Sequence, residues 1–257
     1  MVDTSATIIP STKKAINEDA TVVNECSTPI SSEALTSASL VSQPLTRKEM
    51  QTQSALMHTY YQSHDSDQAT KILVMPLLAH WIRDIRGYDT LEHVYRAAHL
   101  ETPPSSHNKD FHDDSNPRIL LARTAIALEN DLAVRDVFLL TTLTELPPDK
   151  LFNEALQPLG DNTQRDVKDT FGRGLRNADY RQPHYLDRSC EKLHTMYHLL
   201  PSSWAAQPLA MLSLLLWWQH KSEESLSACA LALSQRPENG LARLVATAIE
   251  AGVYPQD

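Results

Sequence analysis

Apolar side chains recur every three to four residues from Thr46 onward and show no such rhythm before it. That spacing places them on one side of a helix and repeats along the rest of the chain. Residues 1–44 are rich in Ser, Thr, Asn and Asp. They carry too little apolar surface to offset the entropy of ordering and are expected to form a disordered tail. Residues 45–257 are expected to form one all-α domain, with a sub-boundary in the polar stretch 101–117, "ETPPSSHNKDFHDDSNP".

Within the domain, TRKEMQTQSALMHTYYQS opens on Thr46 with Glu49 three residues on, the signature of a capping box. SDQATKILVMPLLAHWIRDIRG predicts a longer helix kinked at Pro76, which lacks an N–H and crowds the preceding turn. DTLEHVYRAAHL puts Leu91, Val94, Tyr95 and Ala98 on one face. RILLARTAIALEN, VRDVFLLTTL and PDKLFNEALQPL predict three further helices. The stretch after Gly160 reads as a short helix and a loop, with Gly172 and Gly174 turning the backbone. Four closing helices are predicted at about 186–200, 205–219, 222–235 and 240–251. Strand alternation is absent from the pattern.

The segment from about Gln207 to Glu238 is similar to a tetratricopeptide hairpin. Leu209, Leu212 and Leu216 stand at its large positions and Ser225 and Ala232 at its small ones. Pro237 stands at its terminating proline. Two further units at a regular period are lacking, so a single hairpin packed on other helices is expected in place of an array. Small Ser225 and Ala232 should face the preceding helix, with Pro237 ending the second helix before Gly240 redirects the chain. Adjacent Trp217 and Trp218 point about 100° apart on a helix, so one is expected in the core and the other at a rim.

Val134–Asp136 and PLAMLSLLLWWQHKSEESLSACALALSQRPENGLARLVATAIEAGVYP also resemble the C-terminal half of an actinobacterial family known as domain of unknown function four-one-nine-two. Ala210, Leu214, Leu215, Trp217, Ala228, Ala232, Pro237, Leu241, Ala242, Leu244, Gly252 and Pro255 carry the resemblance, which covers residues 117–256. The family opens on an apolar, Gly- and Pro-marked segment, where this chain has its polar tail. The resemblance implies a helical fold and supplies no catalytic residue.

Composition narrows the classes. Only six glycines in 257 residues suit long helices joined by short connections. A net charge of −9 repels phosphate backbones and anionic membrane surfaces, which sets nucleic acid and membrane aside as partners. Cys26, Cys190 and Cys229 are odd in number and lack CxxC spacing, which suits reduced thiols in a cytoplasm. The apolar run from Pro208 to Trp218 is about half of the ~20 residues that span a bilayer.

Three groups of residues have chemistry to weigh. Cys190, His194 and His198 in DRSCEKLHTMYH follow at i, i+4 and i+8, so adjacent pairs could share a metal ion. HTMYH lacks the glutamate of a zinc-protease motif, and the two histidines edge an apolar face as boundary side chains. In HNKDFHDD, the His112–Asp113 pair resembles that of metal phosphohydrolases, but its polar loop offers nothing to preorganise it. In FGRGLRNADYRQPHYLDR, Arg173, Arg176, Arg181 and Arg188 interleave with Phe171, Tyr180 and Tyr185, a pattern that can hold phosphate. The bland reading, a helix end and a surface loop, is preferred. No catalytic, cofactor-binding or metal-ligating residue is assigned. The expected function is a non-enzymatic protein-interaction or scaffold module whose partner is another protein. The alternative is a metal-dependent phosphoester hydrolase using His194 and His198 or His112 and Asp113.

Overall fold

The computed structural model describes residues 43–100, 116–156, 161–177 and 183–255. The predicted tail, apart from Gln43 and Pro44, and the stretch 101–115 lie outside the described residues. Among those described, every regular element is helical. The helices are α1 (Arg47–Ser63), α2 (Ser66–Ala69), α3 (Met75–Arg86), α4 (Leu91–Ala97), α5 (Pro117–Asn130) and α6 (Leu132–Leu143). They continue with α7 (Pro148–Leu156), α8 (Asp161–Gly174), α9 (Pro183–Leu199), α10 (Ala206–Trp218), α11 (Ser222–Gln235) and α12 (Gly240–Glu250).

The capping box forms as the sequence predicts. The Glu49 N–H donates to Thr46 Oγ1 at 3.2 Å and the Thr46 N–H donates to Glu49 Oε2 at 2.7 Å. The Arg118 guanidinium reaches the same carboxylate at 2.9 Å, so the cap also ties α1 to α5. These contacts hold the Glu49 carboxyl down at about 2.

Pro76 acts through its neighbours. A π-helical turn, Thr70–Val74, joins α2 to α3, and Pro76 sits in the first turn of α3. The wider turn accommodates the missing N–H and the bulk of the ring at the position where a kink is predicted. α3 then buries Leu77, Leu78, Trp81, Ile82 and Ile85, and stops at Gly87, whose φ of 74° is open to glycine.

α10 is the centre of the fold. Every residue from Ala206 to Trp218 except Leu216 is buried, because α5, α9, α11 and α12 all pack on it. A helix apolar on all sides must be enclosed on all sides. Both tryptophans are therefore inside, contrary to the expectation that one reaches a rim. Trp217 Nε1–H donates to the Val253 carbonyl at 2.9 Å, where the chain folds back after α12. Trp218 packs against Gly174, where a Cβ would lie 2.0 Å from Trp218 Cζ2. Gly172 and Gly174 thus turn no loop: α8 continues through both, and Gly174 is there for close approach.

The closing hairpin has the expected inner face. Ser225, Ala228, Cys229 and Ala232 are buried, and Ser225 Oγ–H donates to the Ser213 carbonyl of α10 at 2.7 Å. α11 ends at Gln235, with Pro237 just beyond it. The turn differs in one detail. Gly240 is already the first residue of α12, and a Cβ there would meet nothing within 4 Å. Extended Arg236 and the Asn239 cap redirect the chain instead; Asn239 Oδ1 accepts from the Ala242 N–H at 3.1 Å. No described helix is long and apolar enough to cross a membrane.

Candidate functional site

The residues that seat α11 are small, and this decides what its surface shows. With Ser225, Ala228, Cys229 and Ala232 inward, the larger Leu226 and Leu231 are left on the flanks, 37% and 41% exposed. α12 buries Leu241, Ala242, Val245 and Ile249 and leaves Leu244 at 60% exposure. Val253, just beyond α12, is 47% exposed. Elsewhere among the described residues only Tyr61 and Leu132 are large, apolar and exposed. Glu223, Glu224, Glu238 and Glu250 are exposed on the hairpin, as are Lys221 and Arg243, and Glu238 lies 3.7 Å from Arg236.

The hairpin is held at its turn. The Arg236 guanidinium pairs with Glu129 at the end of α5, whose side chain is 5% exposed. Burial raises the Glu129 carboxyl above its usual range against the pull of Arg236 and of the Gln207 N–H. Asn239 Nδ2–H also donates to the Ala206 carbonyl, at 3.4 Å. Cys229 is a packing residue, its thiol raised by burial.

α9 carries the second candidate. Its inner face is Leu186, Ser189, Leu193 and Met196, with Ser189 Oγ 2.7 Å from Thr142 Oγ1 of α6. Lys192 pairs with Asp84 of α3 and lies 5.2 Å over the Trp81 ring. On the exposed side His194 and His198 meet, with Nε2 atoms 3.2 Å apart and ring planes inclined at 72°. Cys190 is drawn away from them. Its Sγ lies 4.0 Å from Gln219 Oε1, and burial pushes the thiol up to about 12. The structure therefore brings together two of the three residues singled out by spacing. Among the described residues, no group of three or more His, Cys, Asp or Glu side chains is placed to hold a metal.

The described residues of the arginine-rich segment make separate contacts. Arg173 lies 3.9 Å from Asp169, Arg188 Nη1–H donates to the Ile85 carbonyl at the end of α3, and the Tyr185 ring sits under Arg86. Tyr180 and Arg181 lie outside the described residues, as do His112 and Asp113. A recess of about 440 Å³ between α1 and α5 includes Leu45, Glu49, Gln53, Arg118 and Ile119. Arg118 is committed there to Glu49 and to the Gln43 and Pro44 carbonyls.

Sequence reading passes over one cluster: His80, Arg83 and Asp84 on α3 with Lys192 on α9. Burial first, then Arg83 and Lys192, push the His80 imidazole down to about 4. Burial also lowers Lys192, against the opposing pull of Asp84. The signal was present as charged residues at i and i+1 inside the apolar run MPLLAHWIRDIR, but nothing local names Lys192 as their partner. The cluster joins α3 to α9 and so fixes the helix that displays the histidine pair.

No family model, curated protein or solved structure matches the chain.

Proposed function

We propose that this protein is a non-enzymatic, helical protein-interaction module and that its contact surface lies on the α11–α12 hairpin. One observation carries the reading: four of the six exposed large apolar side chains among the described residues, Leu226, Leu231, Leu244 and Val253, belong to this one hairpin and its exit. Scattered exposed leucines need no explanation, whereas a local concentration on a rigid support is a feature of contact surfaces. The net charge of −9 disfavours a second copy of the chain. It favours a different protein that offers both apolar and basic side chains. The tetratricopeptide-like reading of α10 and α11, kinship with the actinobacterial family, and cytoplasmic residence belong to the same proposal. They rest on the residues named for them in the sequence.

The test is capture from native lysate by the wild-type chain and by a Leu226→Ser/Leu231→Ser/Leu244→Ser variant with an unchanged helical spectrum. The reading expects proteins enriched by the wild type and lost with the variant. It fails if both capture the same set, or if neither captures anything while the purified chain turns over a nucleotide or phosphoester.

The second reading, a metal-dependent phosphoester hydrolase, is favoured by the approach of His194 and His198. It ranks below the first because that pair stands exposed on one helix with two donors.

A further inference from the structure

We propose that His194 and His198 form a two-ligand site on the exposed face of α9 for a late first-row divalent ion such as Zn(II), Ni(II) or Cu(II). The site is separate from the hairpin surface and does not depend on that surface having a partner.

The geometry carries the assignment. Imidazole nitrogens bind such ions at about 2.0–2.1 Å, so two bonds that span the observed 3.2 Å enclose an N–metal–N angle of about 103°. That value lies between the right angle of octahedral or square-planar coordination and the tetrahedral angle. The two Nε2 atoms now share a hydrogen bond, and ligating one ion replaces that contact as the rings turn to face it. The i, i+4 spacing on a continuous helix sets the separation, because residues one turn apart share a face.

The support is rigid. Leu193 and Met196 are buried between and beside the two histidines, and Ser189 and Lys192 fix the preceding turn to α6 and α3. Both rings are exposed, so an ion reaches them without opening the fold. Imidazole donors suit Zn, Ni and Cu over the oxygen-seeking Mg and Ca. Two protein donors leave the remaining positions to water or to a donor from another molecule. The site is therefore suited to an exchangeable ion and unlike a closed structural centre, which takes four protein ligands.

Cys190 is the competing ligand by sequence, one turn before His194. Its direction toward Gln219 and its raised thiol pKa remove it from the set.

The experiment is calorimetric titration of Ni(II) and Zn(II) into the full chain purified without an affinity tag, with Cu(II) electron paramagnetic resonance on the same samples. The wild type is expected to bind one equivalent with two nitrogen donors in the copper spectrum, and its thermal midpoint should rise with metal. Loss of outer-shell partners alone costs metal sites about 10–100-fold, so His194→Ala and His198→Ala should each weaken binding at least about tenfold. Both should also abolish the thermal rise, and Cys190→Ser should behave as wild type. The proposal is overturned if the wild type shows no saturable equivalent, if both histidine variants bind as it does, or if Cys190→Ser is the variant that loses the ion. Because both histidines are exposed, the variants are expected to keep the wild-type helical spectrum, which checks that the loss is local.

Discussion

Gly174→Ala and Gly172→Ala form a matched pair that tests how α8 meets α10. Both glycines lie in the last turns of the same helix, and alanine gains about 1 kcal/mol over glycine in a helix interior. They differ in what the added methyl meets. At Gly174 it would lie 2.0, 2.9 and 3.0 Å from three ring carbons of Trp218, which is 2% exposed and cannot swing into solvent. Favourable carbon contacts fall at about 3.5–4.0 Å, so the nearest is short by about 1.5 Å. Overpacking a core usually costs about 1–3 kcal/mol, and a deficit of this size belongs at the top of that range. The net expectation is a loss of about 2 kcal/mol. At Gly172 the methyl meets only the end of the exposed Arg176 side chain, at 3.2 Å, which can move aside. A gain of about 0.5–1 kcal/mol is expected there. Urea melts followed by tryptophan fluorescence read both values. Equal shifts for the two variants, or a stabilised Gly174→Ala protein, would refute the packing of α8 on Trp218.

Other outcomes follow from the same packing. Ala232→Leu should cost about 1–3 kcal/mol in urea melts, since Ala232 is fully buried on the inner face of α11; an unchanged midpoint would mean that this face points elsewhere. Arg236→Met should cost about 2–3 kcal/mol by stranding the buried Glu129 carboxylate, and adding Glu129→Met should recover part of it; no recovery would argue that Arg236 acts by packing alone. His80 gives a pH signature. Its folded pKa of about 4 lies below the ordinary 6.5, so the unfolded chain takes the proton first. Its contribution is full above about pH 6.5 and falls away toward pH 4, amounting to about 2–3 kcal/mol. Melts across that range should show a slope that His80→Gln lacks; the same slope in the variant would assign the loss to other groups.

Much of the helical layout was legible because each element satisfies its own local rules. The capping box at Thr46, the small face of α11 and the stop at Pro237 each depend on residues within a turn or two. What was illegible depends on distant partners. Trp217 and Trp218 read as core and rim because a single helix pattern does not reveal that α10 is packed on all sides. Gly172 and Gly174 read as loop glycines, since nothing near them announces Trp218. At the candidate sites, spacing identified the turn that brings His194 to His198, but could not tell that Cys190 would swing toward Gln219. His80 and Asp84 were hidden in an apolar run because their partner Lys192 comes from another helix. The exposed leucines of the hairpin were visible as leucines, and only packing showed which of them the core leaves outside.

Amide hydrogen exchange of the chain, free and bound to the protein it captures, tests the interaction reading most directly. Slowed exchange concentrated between Ser222 and Val253, with α9 and α1 unchanged, is the predicted result. Protection centred on any other helix, with α11 and α12 exchanging as in the free chain, would contradict it.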